Sequence, residues 1–253
     1  MPTGSQGISS ATSPVHRTGV SPTATERTMV TLQGPTPTPT PIAAVEASSS
    51  NLVITEVMGN PCGGDPANEY IELYNFSDRP VSLQGLWLTD GQAAKQIVPG
   101  EERFSGKSFG GQVDVQSEIL APGKFALILA PAYVADGHSP YMPYVLPPST
   151  LILTVSKGKF IGDDNYGISV TGRDVIVLYH GSGEAIGEVI STYGSPVLSG
   201  SPLSVKDDGK DGIPFVSNKC WSAERINAVN EDKEYMWREK EDGTPGYGDY
   251  NSP

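Results

Sequence analysis

The sequence is poor in the residue types that carry most protein chemistry. Its 253 residues include only two cysteines and three histidines, and 17 Lys and Arg residues stand against 29 Asp and Glu residues, giving a formal net charge of -12. Nucleic-acid binding is not expected, because neutralising phosphates requires clustered Lys and Arg side chains. The longest apolar run, residues 125–130, is too short to cross a bilayer, so no membrane span is expected either.

Catalytic constellations are also scarce. His16, His138 and His180 are widely separated, and no Ser or Cys stands in the strand-turn-helix context of a nucleophile elbow. Glu69 and Glu72 have opposite parity on one predicted strand, so they do not face a single cleft as glycoside hydrolysis requires. We interpret them as part of a solvated strand surface, and the protein is predicted not to be an enzyme.

Residues 1–48 are rich in Ser, Thr, Pro and Gly and are predicted to form a stalk or extended arm. Alternating Pro and Thr over residues 35–41 favour an extended, semi-rigid chain. One short exception contains Met29, Val30, Thr31 and Leu32, whose apolar and β-branched side chains suit a single strand. This segment is a candidate inter-subunit strand, added to the sheet of a neighbouring copy. The alternative is a solvated spacer.

Residues 49–253 are predicted to form one domain of short strands separated by turns. The chain holds 29 glycines and 22 prolines, which favours β structure with many turns. Over residues 69–74, Ile71 and Leu73 alternate with Tyr70, Glu72 and Tyr74, as expected of a half-buried antiparallel strand.

The neighbouring segments follow the same pattern. A strand before that one is predicted to stop at Gly59-Asn60-Pro61, and a third strand covers residues 81–88. Three long loops are expected at about residues 92–118, 132–165 and 195–219, and the best helical candidate is residues 231–238. Long loops on a rigid scaffold are where function is expected.

The order of these segments resembles the lamin tail domain family in its bacterial and archaeal form. The resemblance is carried by Glu-Tyr-Ile-Glu-Leu-Tyr-Asn at residues 69–75, Leu-x-Gly-x-x-Leu-x-Asp at residues 83–90, the turn and strand at residues 120–129, and a hairpin at residues 174–193. A closing motif follows, made of residues 222–225, Trp237 and residues 244–246. The resemblance implies an all-β, immunoglobulin-like β-sandwich that serves as an interaction or structural module.

The resemblance also bears on single residues. It places the first and last strands near each other, which makes a disulfide between Cys62 and Cys220 a hypothesis, with two unrelated thiols as the alternative. It implies that Asn75, although part of a glycosylation sequon, anchors a turn. Within the closing motif, Glu224 and Arg225 are candidates for an internal ion pair.

Two loop segments contain candidate ligand-binding residues. Asp207, Asp208 and Asp211 lie in an acidic Gly-containing stretch that suggests a calcium site, completed by Asp163 or Asp164, although a plain acidic turn is the alternative. No other cofactor is expected.

Tyr133, Tyr141 and Tyr144 lie in a Pro-rich loop, where tyrosines suit stacking on sugars or contact with a protein. The alternative is that they fold back over one end of the core.

Taken together, the sequence predicts an extracellular or cell-surface module without enzymatic activity. The preferred function is a subunit that self-assembles into a surface filament or layer, with strand addition by its N-terminal segment as the means. The alternative is a glycan- or calcium-dependent ligand-binding module.

Overall fold

The computed structural model describes residues 42–62, 66–107, 109, 112–133, 146–168, 175–183, 185–194, 218–231, 233–248 and 250. Most regular elements in these parts are β-strands. In chain order they are β1 (Val45–Glu46), β2 (Leu52–Asn60), β3 (Tyr70–Asn75), β4 (Val81–Ser82), β5 (Leu86–Thr89), β6 (Ala94–Pro99), β7 (Ile119–Leu120), β8 (Phe125–Leu129), β9 (Leu151–Val155), β10 (Ile176–Ser182), β11 (Ala185–Tyr193), β12 (Trp221–Arg225) and β13 (Trp237–Glu241). The helical elements are α1 (Glu101–Phe104) and a 3-10 turn (Glu234–Met236).

The strands form one sheet of ten strands and one of three. The large sheet has the order β11-β10-β5-β6-β9-β8-β3-β2-β12-β13, and the small sheet has the order β1-β4-β7. The large sheet curls until β11 reaches β2, where the backbone N–H of Ile54 donates to Ser191 Oγ at 3.1 Å. The result is the all-β, immunoglobulin-like sandwich that was predicted.

A single apolar core fills the inside of the curled sheet. It takes side chains from both halves, including Ile71 and Leu73 of β3, Ile176 of β10, Ile190 of β11 and Ala223 of β12. Burial of this kind of apolar surface is the main favourable term in folding. The alternation predicted for β3 is therefore confirmed, since its isoleucine and leucine face this core.

The outer face of the sheet is covered as well. Tyr70 belongs to one buried cluster with Met58 and with Phe104 of α1, while Tyr74 packs against Tyr250. All six residues of β3 are buried. The prediction of a half-buried strand is wrong, because later chain segments cover the face that was expected to meet water.

One predicted strand boundary is confirmed and another is wrong. The ladder of β2 reaches Asn60, which pairs with Trp221, and ends before Pro61, within the predicted stop at Gly59-Asn60-Pro61. A Cβ at Gly59 would lie 3.4 Å from the side chain of Ile168, which is an ordinary van der Waals distance, so the space at this position does not require glycine. The predicted strand at residues 81–88 is divided into β4 and β5 by a turn at Gly85, which has a φ of 78°.

Two of the predicted long loops contain strands. β6 lies within residues 92–118 and β9 within residues 132–165, and the two strands pair with each other. The helix predicted at residues 231–238 is only the 3-10 turn, because the chain enters β13 at Trp237. Within the described parts of the chain, no helix has the length and apolar character needed to cross a membrane.

Candidate functional site

Three glutamates form a row on the outer face of the sheet. Glu72 on β3, Glu56 on β2 and Glu224 on β12 stand opposite one another in register, and each is at most 5% exposed. Arg238 on β13 continues the row, with its Nε 2.6 Å from Glu224 Oε2. We call Glu72, Glu56 and Glu224 the glutamate row.

A β-bulge explains how Glu56 reaches this face. The register of β2 against β3 shifts between Ile54 and Glu56, so Thr55 is an extra residue. Ile54 and Val57 both point into the core, whereas Glu56 points outward. Without the bulge, strict alternation would put Glu56 on the same face as Ile54.

The glutamate row holds the closing turn, residues 244–246, against the sheet. The backbone N–H of Thr244 donates to Glu56 Oε1 at 2.9 Å, and the N–H of Gly246 donates to Glu72 Oε2. The Thr244 hydroxyl donates to Glu224 Oε1 at 3.3 Å. Buried carboxylates are costly unless hydrogen bonds satisfy them, and the turn supplies these bonds together with the hydroxyl groups of Thr55 and Ser222.

The environment of the row changes the acidity of its members. Burial raises the pKa of Glu56 to about 6, against the lowering effect of the hydrogen bonds from Ser222 and Thr244. Burial, and then the charge of Glu56, raise the pKa of Glu72 well above its usual range. The interpretation of Glu72 as part of a solvated strand surface is therefore wrong, because this carboxyl group is buried under the closing turn.

Arg225 joins the two ends of the curled sheet. It is fully buried, and its Nε donates to the carbonyl of Ile54 at 2.8 Å while its Nη2 donates to that of Thr192 at 3.4 Å. Its guanidinium lies 4.3 Å from the ring centroid of Trp237. The predicted ion pair with Glu224 is wrong, since Glu224 pairs with Arg238 instead.

A second set of buried polar groups fixes the loop at residues 156–168. Lys95 Nζ lies 2.6 Å from Asp164 Oδ1, and this hydrogen bond is the largest cause of a lowered Asp164 pKa. Asp90 Oδ2 accepts the N–H of Asp163 at 2.8 Å, and the carboxylate of Glu69 accepts the N–H of Ile168. Glu69 is buried, so its interpretation as a solvated residue is also wrong.

The two cysteines form a disulfide. Cys62 follows β2 and Cys220 precedes β12, and these two strands are paired neighbours in the sheet. The bond links positions 158 residues apart in the sequence. The pairing implied by the family resemblance is confirmed.

The predicted ligand-binding residues are divided between the described and the remaining parts of the chain. Tyr133 is buried and stacks on Phe109, with ring centroids 6.3 Å apart, so it covers the outer face of the sheet. Tyr141 and Tyr144, the acidic residues Asp207, Asp208 and Asp211, and the strand candidates Met29, Val30, Thr31 and Leu32 lie outside the described residues.

Neither a metal centre nor a nucleophile elbow is found in the part of the chain that the structure describes. Across these residues, no group of three or more His, Cys, Asp or Glu side chains is arranged to hold a metal ion. The sequence motif G-x-S-x-G does occur, at residues 106–110, but it follows the single turn α1. Its Phe109 is buried among the aromatic side chains that cover the outer face of the sheet. An elbow instead requires a strand before the serine.

Asn75 anchors a turn, as the resemblance implied. Its side chain is buried, donates to the carbonyls of Arg79 and Leu120 at 2.8 and 2.9 Å, and accepts the N–H of Ser77 at 2.9 Å. These hydrogen bonds engage both the NH2 group and the carbonyl oxygen of the Asn75 side chain. The sequon is therefore not an accessible glycosylation site in the folded chain.

The large sheet has two terminal strands, β11 and β13. Among the described strands, each has a partner on one side only. A terminal strand presents unpaired backbone N–H and C=O groups to which another chain can add. These edges are the surfaces best suited to an interaction.

A family model described as Lamin Tail Domain matches residues 46–195, which is more than half of the chain. No curated protein and no solved structure matches the chain. The matched region begins at β1 and ends after β11. The closing motif lies beyond it, although β12 and β13 belong to the same sheet.

Proposed function

The chain belongs to the lamin tail domain family of immunoglobulin-like, non-enzymatic interaction modules, and on that premise we propose that it is an extracellular structural subunit that self-assembles into a filament or layer. The observation that carries the proposal is the pair of terminal strands in the large sheet. The N-terminal arm, residues 1–41, supplies the strand that adds to a neighbour.

The buried polar groups of the domain support a structural function. The glutamate row, Arg225 and Lys95 each bind segments of the same chain. Groups used in this way stabilise a rigid body. A rigid body with open edges is a suitable unit for assembly.

The disulfide supports the extracellular location. Structural disulfides form and persist in oxidising compartments and are rare where thiols are kept reduced. Intact mass of the native material before and after reduction tests this point. A free-thiol count of two without reductant would argue for a reducing compartment.

Deletion of the arm tests self-assembly. The full chain is expected to form particles of several subunits, and the variant lacking residues 1–41 is expected to remain monomeric in light scattering and electron microscopy. The deletion should end at residue 41, because β1 and the buried Ala47 belong to the fold although they lie in the predicted stalk.

A variant lacking residues 2–20 is the matched control for this experiment. It keeps the strand candidate and the Pro/Thr run, so it should assemble like the full chain. Assembly that persists without residues 1–41 would refute the proposal.

A second candidate function is glycan binding, which a pocket in the described structure favours. The pocket holds about 250 Å³ and is lined by Trp87, Gln92 and Lys157, among others. An indole ring beside polar side chains is suited to a sugar ring. On a glycan array, tested both with and without calcium, the wild-type chain should bind a glycan and the Trp87→Ala variant should not. An array without any bound glycan would exclude this candidate.

A further inference from the structure

We propose that β13 is the edge that receives the arm of a second copy, with residues 28–33 as the added strand. The inference rests on the proposed self-assembly and names its docking surface. It follows from the regularity of β13, the direction of its backbone groups and the arrangement of its charges.

β13 is a regular strand that is free of bulges. All five of its residues pair with β12 in an unbroken register. Two backbone hydrogen bonds flank the paired residues. The N–H of Asp242 donates to the Cys220 carbonyl at 2.7 Å, and the N–H of Ile226 donates to the Met236 carbonyl at 2.8 Å. Because antiparallel pairing alternates, Glu239 and Glu241 direct their N–H and C=O groups away from β12. These groups can form a ladder with an added strand.

The other terminal strand is less suitable. The pairing of β11 with β10 contains two register shifts, and bulges of this kind weaken an edge as a template. The later part of β11 is also contacted by its own domain, since Asn230 Nδ2 donates to the Ile190 carbonyl and Arg225 Nη2 to that of Thr192.

The charges of β13 alternate along the strand, so each face carries one sign. Arg238 and Lys240 share the outer face, whereas Glu239 and Glu241 lie on the face of Trp237. If two copies of β13 paired antiparallel and continued one sheet, each residue would oppose residues of its own face. Arg and Lys would then oppose each other, and Glu would oppose Glu. Like charges in opposite positions destabilise a sheet, so β13 disfavours pairing with another β13.

Residues 28–33 avoid this repulsion. Their sequence, Thr-Met-Val-Thr-Leu-Gln, carries no charged side chain, so it places no like charge opposite either face. It also has strand-forming side chains. An uncharged strand can therefore pair with β13, whereas a second copy of β13 is disfavoured by its charges.

The connection between this strand and the domain favours a second copy over the same one. Residues 34–41 separate them and include the alternating Pro and Thr residues. In polyproline II conformation these eight residues span roughly 25 Å and resist folding back. An arm on one surface and an acceptor on another form a head-to-tail contact, which generates a ring or a filament instead of a closed two-fold dimer.

Glu239→Pro tests the docking edge in the full chain. Proline removes a backbone N–H that points away from β12, so the fold should survive, while the added strand loses a hydrogen bond. We expect about a tenfold loss of apparent affinity between subunits, with an unchanged melting temperature. In the wild-type assembly, the amides of Glu239 and Glu241 should exchange slowly with solvent.

The outcomes separate this inference from the proposed function. If Glu239→Pro assembles like wild type while deletion of residues 1–41 abolishes assembly, the arm docks elsewhere and only the docking edge is refuted. If the full chain is monomeric at every concentration, both are refuted.

Charge variants of the arm supply an independent test. Thr31 would face one of the two charged rows of β13, so Thr31→Lys and Thr31→Glu should change the affinity in opposite directions, each by about two- to fivefold. Equal effects of the two variants on particle mass would overturn the assignment of β13.

Discussion

At the scale of single residues, the glutamate row determines how the domain responds to pH. The folded state raises the pKa of Glu56 from 4.5 to about 6, so the ionised form is less favourable in the folded than in the unfolded chain. The contribution of protonated Glu56 to the stability of the fold is fully present below pH 4.5 and is lost as the pH rises through about 6.

Glu56→Gln should remove this part of the pH dependence. Between pH 4.5 and pH 7.5, ionisation of Glu56 should lower the free energy of unfolding of the wild type by about 2 kcal/mol. In the variant, this part of the decrease should be absent. Urea unfolding at both pH values measures the difference. Glu102→Gln, an exposed change on α1, is the matched control. Parallel pH profiles for Glu56→Gln and wild type would contradict the assignment.

Arg225 should tolerate no conservative replacement. Lysine keeps the charge but lacks the planar fork that donates to several carbonyls at once, so Arg225→Lys should cost about 3 kcal/mol. Thermal or urea unfolding measures this cost. Arg103→Lys is the control, because Arg103 makes an exposed contact with the carbonyl of Ser156. A cost for Arg225→Lys no larger than that of the control would show that the buried contacts are unimportant.

The burial of these residues could not be predicted from local sequence. Glutamates on an alternating strand are usually solvated, and the backbone donors to Glu56 and Glu72 belong to Thr244 and Gly246, more than 170 positions along the chain. The bulge at Thr55 also has no clear sequence signal. In contrast, the turn anchored by Asn75 was implied by the family resemblance, and its side-chain contacts with Arg79 and Ser77 confirm it.

At the scale of elements, the sequence predicts the inner face of the sheet better than its outer face. The alternation of β3 identifies Ile71 and Leu73 as core residues because one face is continuously apolar. Strands β6 and β9 were not predicted, because the residues that flank them in the predicted loops hide the strand pattern of their sequences. β6 contains the buried Lys95, whose ammonium group is satisfied by Asp164 and the Phe160 carbonyl.

The disulfide should contribute strongly to the stability of the strands that it joins. In the chain-entropy model, a bond across 158 residues stabilises the fold by about 5 kcal/mol. The double variant Cys62→Ala, Cys220→Ala should therefore unfold at a much lower urea concentration than wild type. Reduced wild type is the matched comparison and should behave like the variant. An unchanged midpoint in both samples would contradict the expected contribution.

At the scale of the whole molecule, a head-to-tail contact that does not close into a ring predicts open-ended growth. The weight-average mass should rise continuously with concentration and should not stop at two subunits, because each added copy leaves one arm and one edge available. Sedimentation velocity over a range of concentrations measures this. A plateau at twice the mass of one chain would indicate a symmetric dimer instead.

The disulfide also has a mechanical consequence for such an assembly. Tension enters a subunit through the arm and leaves through β13, so the covalent load path runs from residue 42 to Cys62, crosses to Cys220 and continues to β13. The chain between the cysteines carries no tension along this path. Pulling single molecules between residue 42 and β13 should reveal roughly 540 Å of additional contour length only after reduction, given the separation of 158 residues. The same extension without reductant would show that the crosslink does not bear load. A fibre built from these subunits would lengthen far less under tension while oxidised than when reduced.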